Sequence, residues 1–354
     1  MGDSPAIEPA RVGLSRHVIS LAIGGAIVAL IVQMIFAGSY IGALHDPKPK
    51  DLPFGVVAPE GIGETLVQQI DAAGNGALKP TLLASEDELH LQIDQLDLYG
   101  GVVVTSDGLT LVVSDAVGAS ASSALTAFFQ GYASAQGQQL IIEHDRLLED
   151  GDPRGLTSVY LVFAWVFGGY FCATVLTTVV GSGYLSRGHA AMRLGLLAAY
   201  SVISGLGTAL LAVEVFDALP GHFWEIAGVG ALTVFAVATA SMAIQLLLGV
   251  VGTLVVMIAL VLIGNPSSGG VVLPEFLPAF WQTVGPWLPN SSSYQLLRNS
   301  IYFDGAQTAR PILVLGTYAL VGSALLLMFA TRSRKSLLDV SSEVELAIGA
   351  AEAG

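Results

Sequence analysis

Basic residues are scarce in this chain: 14 lysines and arginines stand against 28 aspartates and glutamates in 354 residues, a formal net charge of −14. Binding a phosphate backbone takes clustered Lys and Arg, so the composition argues against nucleic acid as a partner. The lysines are Lys48, Lys50, Lys79 and Lys335, and none follows a glycine-rich loop. No G-x-x-x-x-G-K-[ST] occurs, so P-loop nucleotide binding is excluded and any coupling to ATP must come from another chain. H-E-x-x-H, G-x-S-x-G and cysteine pairs are also missing, and no catalytic, metal or cofactor site is assigned. The single cysteine, Cys172, lies in an apolar run; it excludes an intrachain disulfide and reads as a small buried hydrophobe.

Charge of either sign is thin. Only 12% of residues are charged and 53% are hydrophobic, where soluble domains carry about 25% charged residues. Six apolar runs account for the difference, at 18–44, 158–181, 193–216, 224–248, 250–264 and 312–331. Each is near the ~20 residues a helix needs to cross a bilayer core, the fifth being the shortest. The first exceeds the ~7–15 apolar residues of a cleavable signal and is expected to remain as a membrane helix. The predicted fold is an α-helical integral membrane protein: six transmembrane helices with a small extracytoplasmic α/β domain inserted after the first. Its parts are a cytoplasmic segment 1–16, helix 17–44, the α/β domain 45–154, a five-helix transmembrane domain 155–335 and a cytoplasmic tail 336–354. Arg11, Arg16, Arg187, Arg193, Arg332, Arg334 and Lys335 fall on one side of these spans. By the positive-inside rule both termini are then cytoplasmic, in a multi-pass protein of the cell membrane whose surroundings are the lipid bilayer.

Residues 45–154 hold most of the acidity, 17 acidic against 5 basic side chains. Their pattern predicts the order β-α-β-α-β-β-α, ending in one helix over 120–142 that leads back to the membrane. Ser85 and Glu88 form a capping box before an apolar-periodic run, and Ser106-Asp107-Gly108 is a hairpin turn. Glu143-His144-Asp145 reads either as a solvated helix face or as a metal or pH site.

Residues 265–305 depart from the rest. Pro266, Pro274, Pro278, Pro286 and Pro289 interrupt any continuous helix, while Trp281, Trp287, Tyr294 and Tyr302 favour a bilayer boundary. A broken, interfacial or re-entrant element at the outer face is expected, tolerated where it packs on protein or lines a cavity. Asn290-Ser-Ser is formally a glycosylation acceptor.

The same stretch carries a resemblance. Asn265-Pro266-x-Ser268-Gly269-Gly270, Leu277-Pro278-x-Phe280, Leu288-Pro289, Leu297-Arg298 and Tyr302-Phe303-Asp304-Gly305 resemble the C-terminal region of ABC-2-type membrane permeases. The similar branch is the one with phage-infection-protein-like and nitrosoguanidine-resistance-like proteins, and the order of segments agrees over about residues 17–335. The resemblance implies the membrane subunit of an exporter for a hydrophobic or amphipathic substrate, lipid or drug-like, working as a homo- or hetero-dimer. A separate ATP-binding subunit would dock on the 184–193 loop, at Arg187 and Arg193, which are otherwise positive-inside anchors. The alternative is a non-transporting scaffold or receptor whose outer domain binds an envelope partner.

Four further residues are candidates for the outer face or a substrate path: Glu214, Trp281, Tyr294 and Arg298. Glu214 either snorkels to the interface or lines a path. Arg298 either pairs locally with Asp304 or offers a fixed positive charge to an anionic head group. Gln33 and Gln245 are read as hydrogen-bonding glue between helices, as Gly205 and Gly207 are read as packing glycines.

Overall fold

The computed structural model describes residues 16–105, 108–180 and 187–328. The expectations placed on Arg11, on the 106–107 turn, on residues 184–186 of the 184–193 loop and on everything after residue 328 lie outside the described residues.

Helix α1 (Arg16–Leu44) is apolar on all sides and exposed along most of its length. It meets the rest of the protein at its C-terminal end, where Ala43 is buried and the Gly42 backbone lies against the Trp281 ring. The chain then builds a five-stranded sheet from β1 (Leu52–Val57), α2 (Gly63–Gly74), β2 (Leu78–Leu83), α3 (Glu86–Asp94), β3 (Gly100–Thr105), β4 (Gly108–Ser114), α4 (Ala119–Gln136) and β5 (Leu140–Asp145). Strand order is β2-β1-β3-β4-β5; only the β3–β4 hairpin is antiparallel. Alternation along the strands sorts the core into two layers. Leu52, Phe54 and Val56 face α2 and α4, with Phe54 stacked on Phe129 at 4.9 Å. Val103 and Val112 face Leu89 and Ile93 of α3 on the other side. Ser85 Oγ accepts the Glu88 N–H at 3.2 Å, as the capping box predicts, and the Glu88 carboxylate accepts the Ala84 N–H at 2.9 Å.

The single helix expected over 120–142 is corrected. Gly137 takes a left-handed φ of 65° and its N–H closes the end of α4, a backbone state that glycine reaches without a Cβ clash. The chain emerges extended and adds β5 beside β4, register Leu109↔Leu140 to Ser114↔Asp145. Glu143, His144 and Asp145 are therefore on an edge strand. His144 Nδ1 lies 2.8 Å from Asp115, and Asp145 lies 3.3 Å from His90.

A helical bundle follows: α5 (Thr157–Val180), α6 (Arg187–Leu210, prolonged by π-helical turns over Leu211–Val215), α7 (Phe223–Leu248), α8 (Val250–Met257, prolonged by π-helical turns over Ile258–Gly264), α9 (Ala279–Val284), α10 (Pro289–Tyr302) and α11 (Ala309–Met328). Among the described residues five helices, α1, α5, α6, α7 and α11, are long and apolar enough to cross a membrane; Val250–Gly264 is apolar but shorter. The protein is thus mostly helical, with the sheet as a separate layer.

Helix α7 is the centre of the bundle, and small residues let its neighbours approach closely. A Cβ on Gly205 would lie 2.3 Å from the Ala227 carbonyl oxygen, and one on Gly322 would lie 2.6 Å from backbone of Thr239 and Ala240. Polar side chains inside the bundle pair with one another. Trp165 Nε1–H donates to Thr208 at 2.8 Å, and Gln245 bridges Thr174 and Thr177 of α5 at 2.8 and 3.2 Å. Gln33, by contrast, is exposed on α1.

Candidate functional site

The broken element begins where α8 ends. Pro266 brings no N–H and removes one backbone donor from the end of α8, where the helix stops. Four consecutive oxygens are capped from elsewhere in the chain. Leu260 O accepts from Asn290 Nδ2 at 3.0 Å, Val261 O from the Tyr40 hydroxyl at 3.4 Å, Leu262 O from Ser39 Oγ at 2.5 Å and Ile263 O from Ser267 Oγ at 2.5 Å. Asn290 Nδ2 also reaches Asn265 Oδ1 at 2.7 Å. Each unmade bond in a buried setting would cost about 1–3 kcal/mol, so these side chains are what allow a helix to end inside the bundle. Asn290 is fully buried, which removes it as a glycosylation acceptor in the folded protein.

The other residues singled out in this motif shape its bends. Gly269 has a φ of 81° and turns the chain. Gly270 leaves no space for a side chain: a Cβ would lie 2.7 Å from Val159 and 3.1 Å from the Tyr294 ring. Ser268 Oγ faces the Gly270 N–H at 3.4 Å. Pro278 caps α9 and Pro289 opens α10, where a missing N–H costs nothing. Gly305, with a φ of 80°, donates its N–H to Asn299 O at 2.9 Å and ends α10.

The element's outer surface is a socket for the α/β layer. Leu273, Phe276 and Phe303 are buried in the core between the sheet and α2/α4. Around them the Lys50 N–H donates to Glu275 O at 3.0 Å, the Leu273 N–H to Ser120 Oγ at 3.2 Å, and Gln307 Nε2 to Gln95 O at 3.0 Å. Arg298 Nη1 donates to Val117 O at 2.9 Å and its Nε to Asn299 Oδ1 at 3.1 Å. The guanidinium also lies 5.7 Å from the Tyr294 ring centre and 5.9 Å from that of Phe303.

Beside Arg298 the junction encloses a cavity of about 230 Å³ lined by Tyr99, Glu275, Gln295, Asn299, Gln307 and Arg310, among others. The Tyr99 hydroxyl donates to Glu275 Oε1 at 2.8 Å. Burial, reinforced by the Glu275 charge, pushes the Tyr99 phenol well above its ordinary value, so it stays a donor. Glu275 Oε2 is buried without a hydrogen-bond partner.

The residues singled out from sequence are distributed as follows. Arg298 and Tyr294 meet at the junction, both buried. Asp304 does not pair with Arg298; it is exposed and lies 3.7 Å from Arg146. Trp281 is half-buried against α1 with its indole N–H lacking an acceptor. Glu214 is exposed in the π-helical turns that prolong α6. Arg187 is exposed at the start of α6, whereas Arg193 is 2% exposed inside that helix, because the helix begins six positions earlier than the apolar run does. Tyr99 and Glu275 were missed. A tyrosine in the bend before β3 and a glutamate in a proline-rich turn carry no local signal, and only the fold brings them together.

No protein-family model matches the chain, and no curated protein or solved structure matches it either.

Proposed function

We propose that the chain is the membrane-spanning subunit of an ABC-2-type exporter for a hydrophobic or amphipathic molecule, energised by an ATPase on another chain. The observation that carries this reading is a lateral apolar groove of about 270 Å³ between α7 and α11. It is lined by Ala240, Ala243, Ile244, Thr317, Val321 and Leu325, among others, and it suits an acyl chain or a hydrophobic ring system rather than an ion. The six-span reading is supported by direction. Glu149 lies 3.6 Å from His222, just before α7, and Gln95 bonds Gln307, just before α11. Both helices therefore start at the α/β layer, and the chain between them has to return, which it does through α8 and the broken element. With the positive-inside bias, the α/β layer is extracytoplasmic.

The test is to solubilise the tagged full chain gently from its own host and identify the chains that stay with it by mass spectrometry. A stoichiometric chain with a Walker A motif is expected, its ATP hydrolysis stimulated by lipid and suppressed by Val321→Trp, which fills the groove. An envelope protein in its place, under conditions where a known exporter of the same membrane keeps its ATPase, would overturn this reading in favour of a scaffold.

A further inference from the structure

The sheet has two free edges, β2 and β5, and they are not alike. At the first, the Leu52 N–H donates to Ala77 O at 3.0 Å. The main-chain groups of successive strand residues point to opposite sides, so the odd positions of β2 face β1 while Leu78, Pro80 and Leu82 face outward. Proline thus stands at the middle outward position, where an added strand would need an N–H, and Lys79 beside it is exposed. Proline and lysine are the usual means of keeping an edge from pairing. At the other edge, the Leu109 N–H donates to Gln139 O at 3.2 Å. The odd positions of β5 therefore face β4, and Leu140, Ile142 and His144 face outward. All three carry an N–H, and among the described residues no main-chain bond reaches these outward groups.

The side chains of β5 sort by face. Leu140 and Ile142 are half-buried at the margin of the core that α4 covers. Ile141 and Glu143 stand on the α3 side, where α3 lies over Val103 and Val112 and leaves Ile141 54% exposed. We propose that β5 takes a sixth strand, an extended segment of another polypeptide chain that alternates apolar and basic residues. It pairs antiparallel, the more stable arrangement per residue. Its apolar side chains lie opposite Leu140 and Ile142 and extend the core beside α4. Its basic side chains lie on the opposite face, one of them across from Glu143, on a layer that carries 17 acidic against 5 basic residues. Main-chain bonds to the outward groups supply affinity, and the alternation of side chains supplies selectivity. A second copy of the layer is the wrong partner, because it brings two surfaces of the same sign together. This inference concerns the α/β layer and does not depend on the exporter reading.

The test uses the full-length protein in a neutral detergent and a short blocked peptide that alternates lysine and valine. Binding is read by fluorescence anisotropy and by amide hydrogen exchange. The peptide is expected to bind and to slow exchange at the Ile142 and His144 amides, with no change in β2. Backbone N-methylation at the valines removes the donors that face β5 and is expected to abolish binding. The same modification at the lysines, whose N–H groups face away, should leave binding intact. A peptide alternating glutamate and valine should bind about tenfold more weakly. Glu143→Lys, at an exposed position outside the core, should remove that preference. No binding of the lysine peptide, binding that survives methylation of the valines, or equal protection in β2 and β5 overturns the proposal. Protection of Ile142 and His144 that rises with protein concentration alone, without peptide, overturns it in favour of a second copy.

Discussion

Asn290 and Leu260 stand thirty positions apart, and the Asn290 amide closes the Leu260 carbonyl at 3.0 Å while also holding Asn265 Oδ1. One side chain thus joins the end of α8 to the start of α10. Asn290→Ala removes both bonds and leaves buried acceptors, at about 1–3 kcal/mol for each. A fall of several degrees in the thermal midpoint is expected by intrinsic fluorescence. Gln295→Ala, which loses only a local bond to Ser291 within α10, should stay within about 1 kcal/mol. Equal effects from the two would show that the capping of α8 is not what holds the break together.

Gly205 and Gly207 lie on the same helix, and only one of them packs. A Cβ on Gly205 would fall 2.3 Å from the Ala227 carbonyl oxygen, while nothing lies within 4 Å of one on Gly207. Gly205→Ala should force α6 away from α7 and cost about 1–3 kcal/mol in overpacking strain. Gly207→Ala should be neutral or stabilising by up to about 1 kcal/mol through helix propensity. Unfolding in detergent separates the two, and equal midpoints would contradict the close α6–α7 contact.

Much of this architecture is legible in the sequence because its signals are local. Apolar length marks the long helices, the Ser85/Glu88 spacing marks the start of α3, and prolines mark where α8 must end. What the sequence hides are events settled at a distance. Gly137 stops α4 only because β4 offers an open edge for β5. Arg193 is buried because α6 extends back to Arg187 and turns that side chain inward. Glu275, Tyr99 and Arg298 come from a turn, the bend before β3 and a helix, and share one cavity because the α/β core takes Leu273, Phe276 and Phe303 from the broken element. Periodicity carries no trace of that borrowing.

Ser85 gives a test of the α/β layer alone. Its hydroxyl satisfies the Glu88 N–H at the first turn of α3, which covers the Leu89/Ile93 face of the sheet. Ser85→Ala should cost about 1 kcal/mol, the usual value of an N-cap, and Ser85→Asp should restore most of it. Hydrogen exchange should quicken in α3 and leave α7 unchanged. Protection that falls equally in both would mean the two layers unfold as one unit.

Tyr99 ties the junction to alkaline pH. Its phenol is held above the ordinary range by burial and by Glu275, so the folded state keeps a proton that the unfolded chain releases near pH 10. With the folded value raised, the stabilisation is fully present below pH 10 and is lost as pH rises beyond it, because the unfolded state there binds fewer protons. Tyr99→Phe leaves Glu275 Oε1 without its donor and should lower stability by about 1–3 kcal/mol at neutral pH. It also removes the titrating group, so the gap between wild type and variant should narrow between pH 10 and 11. Thermal midpoints measured from pH 7 to 11 test this directly. A gap that stays constant across that range would mean the Tyr99 phenol ionises as freely in the folded protein as in the unfolded chain, and the hydrogen bond to Glu275 would then not be what secures this edge of the junction.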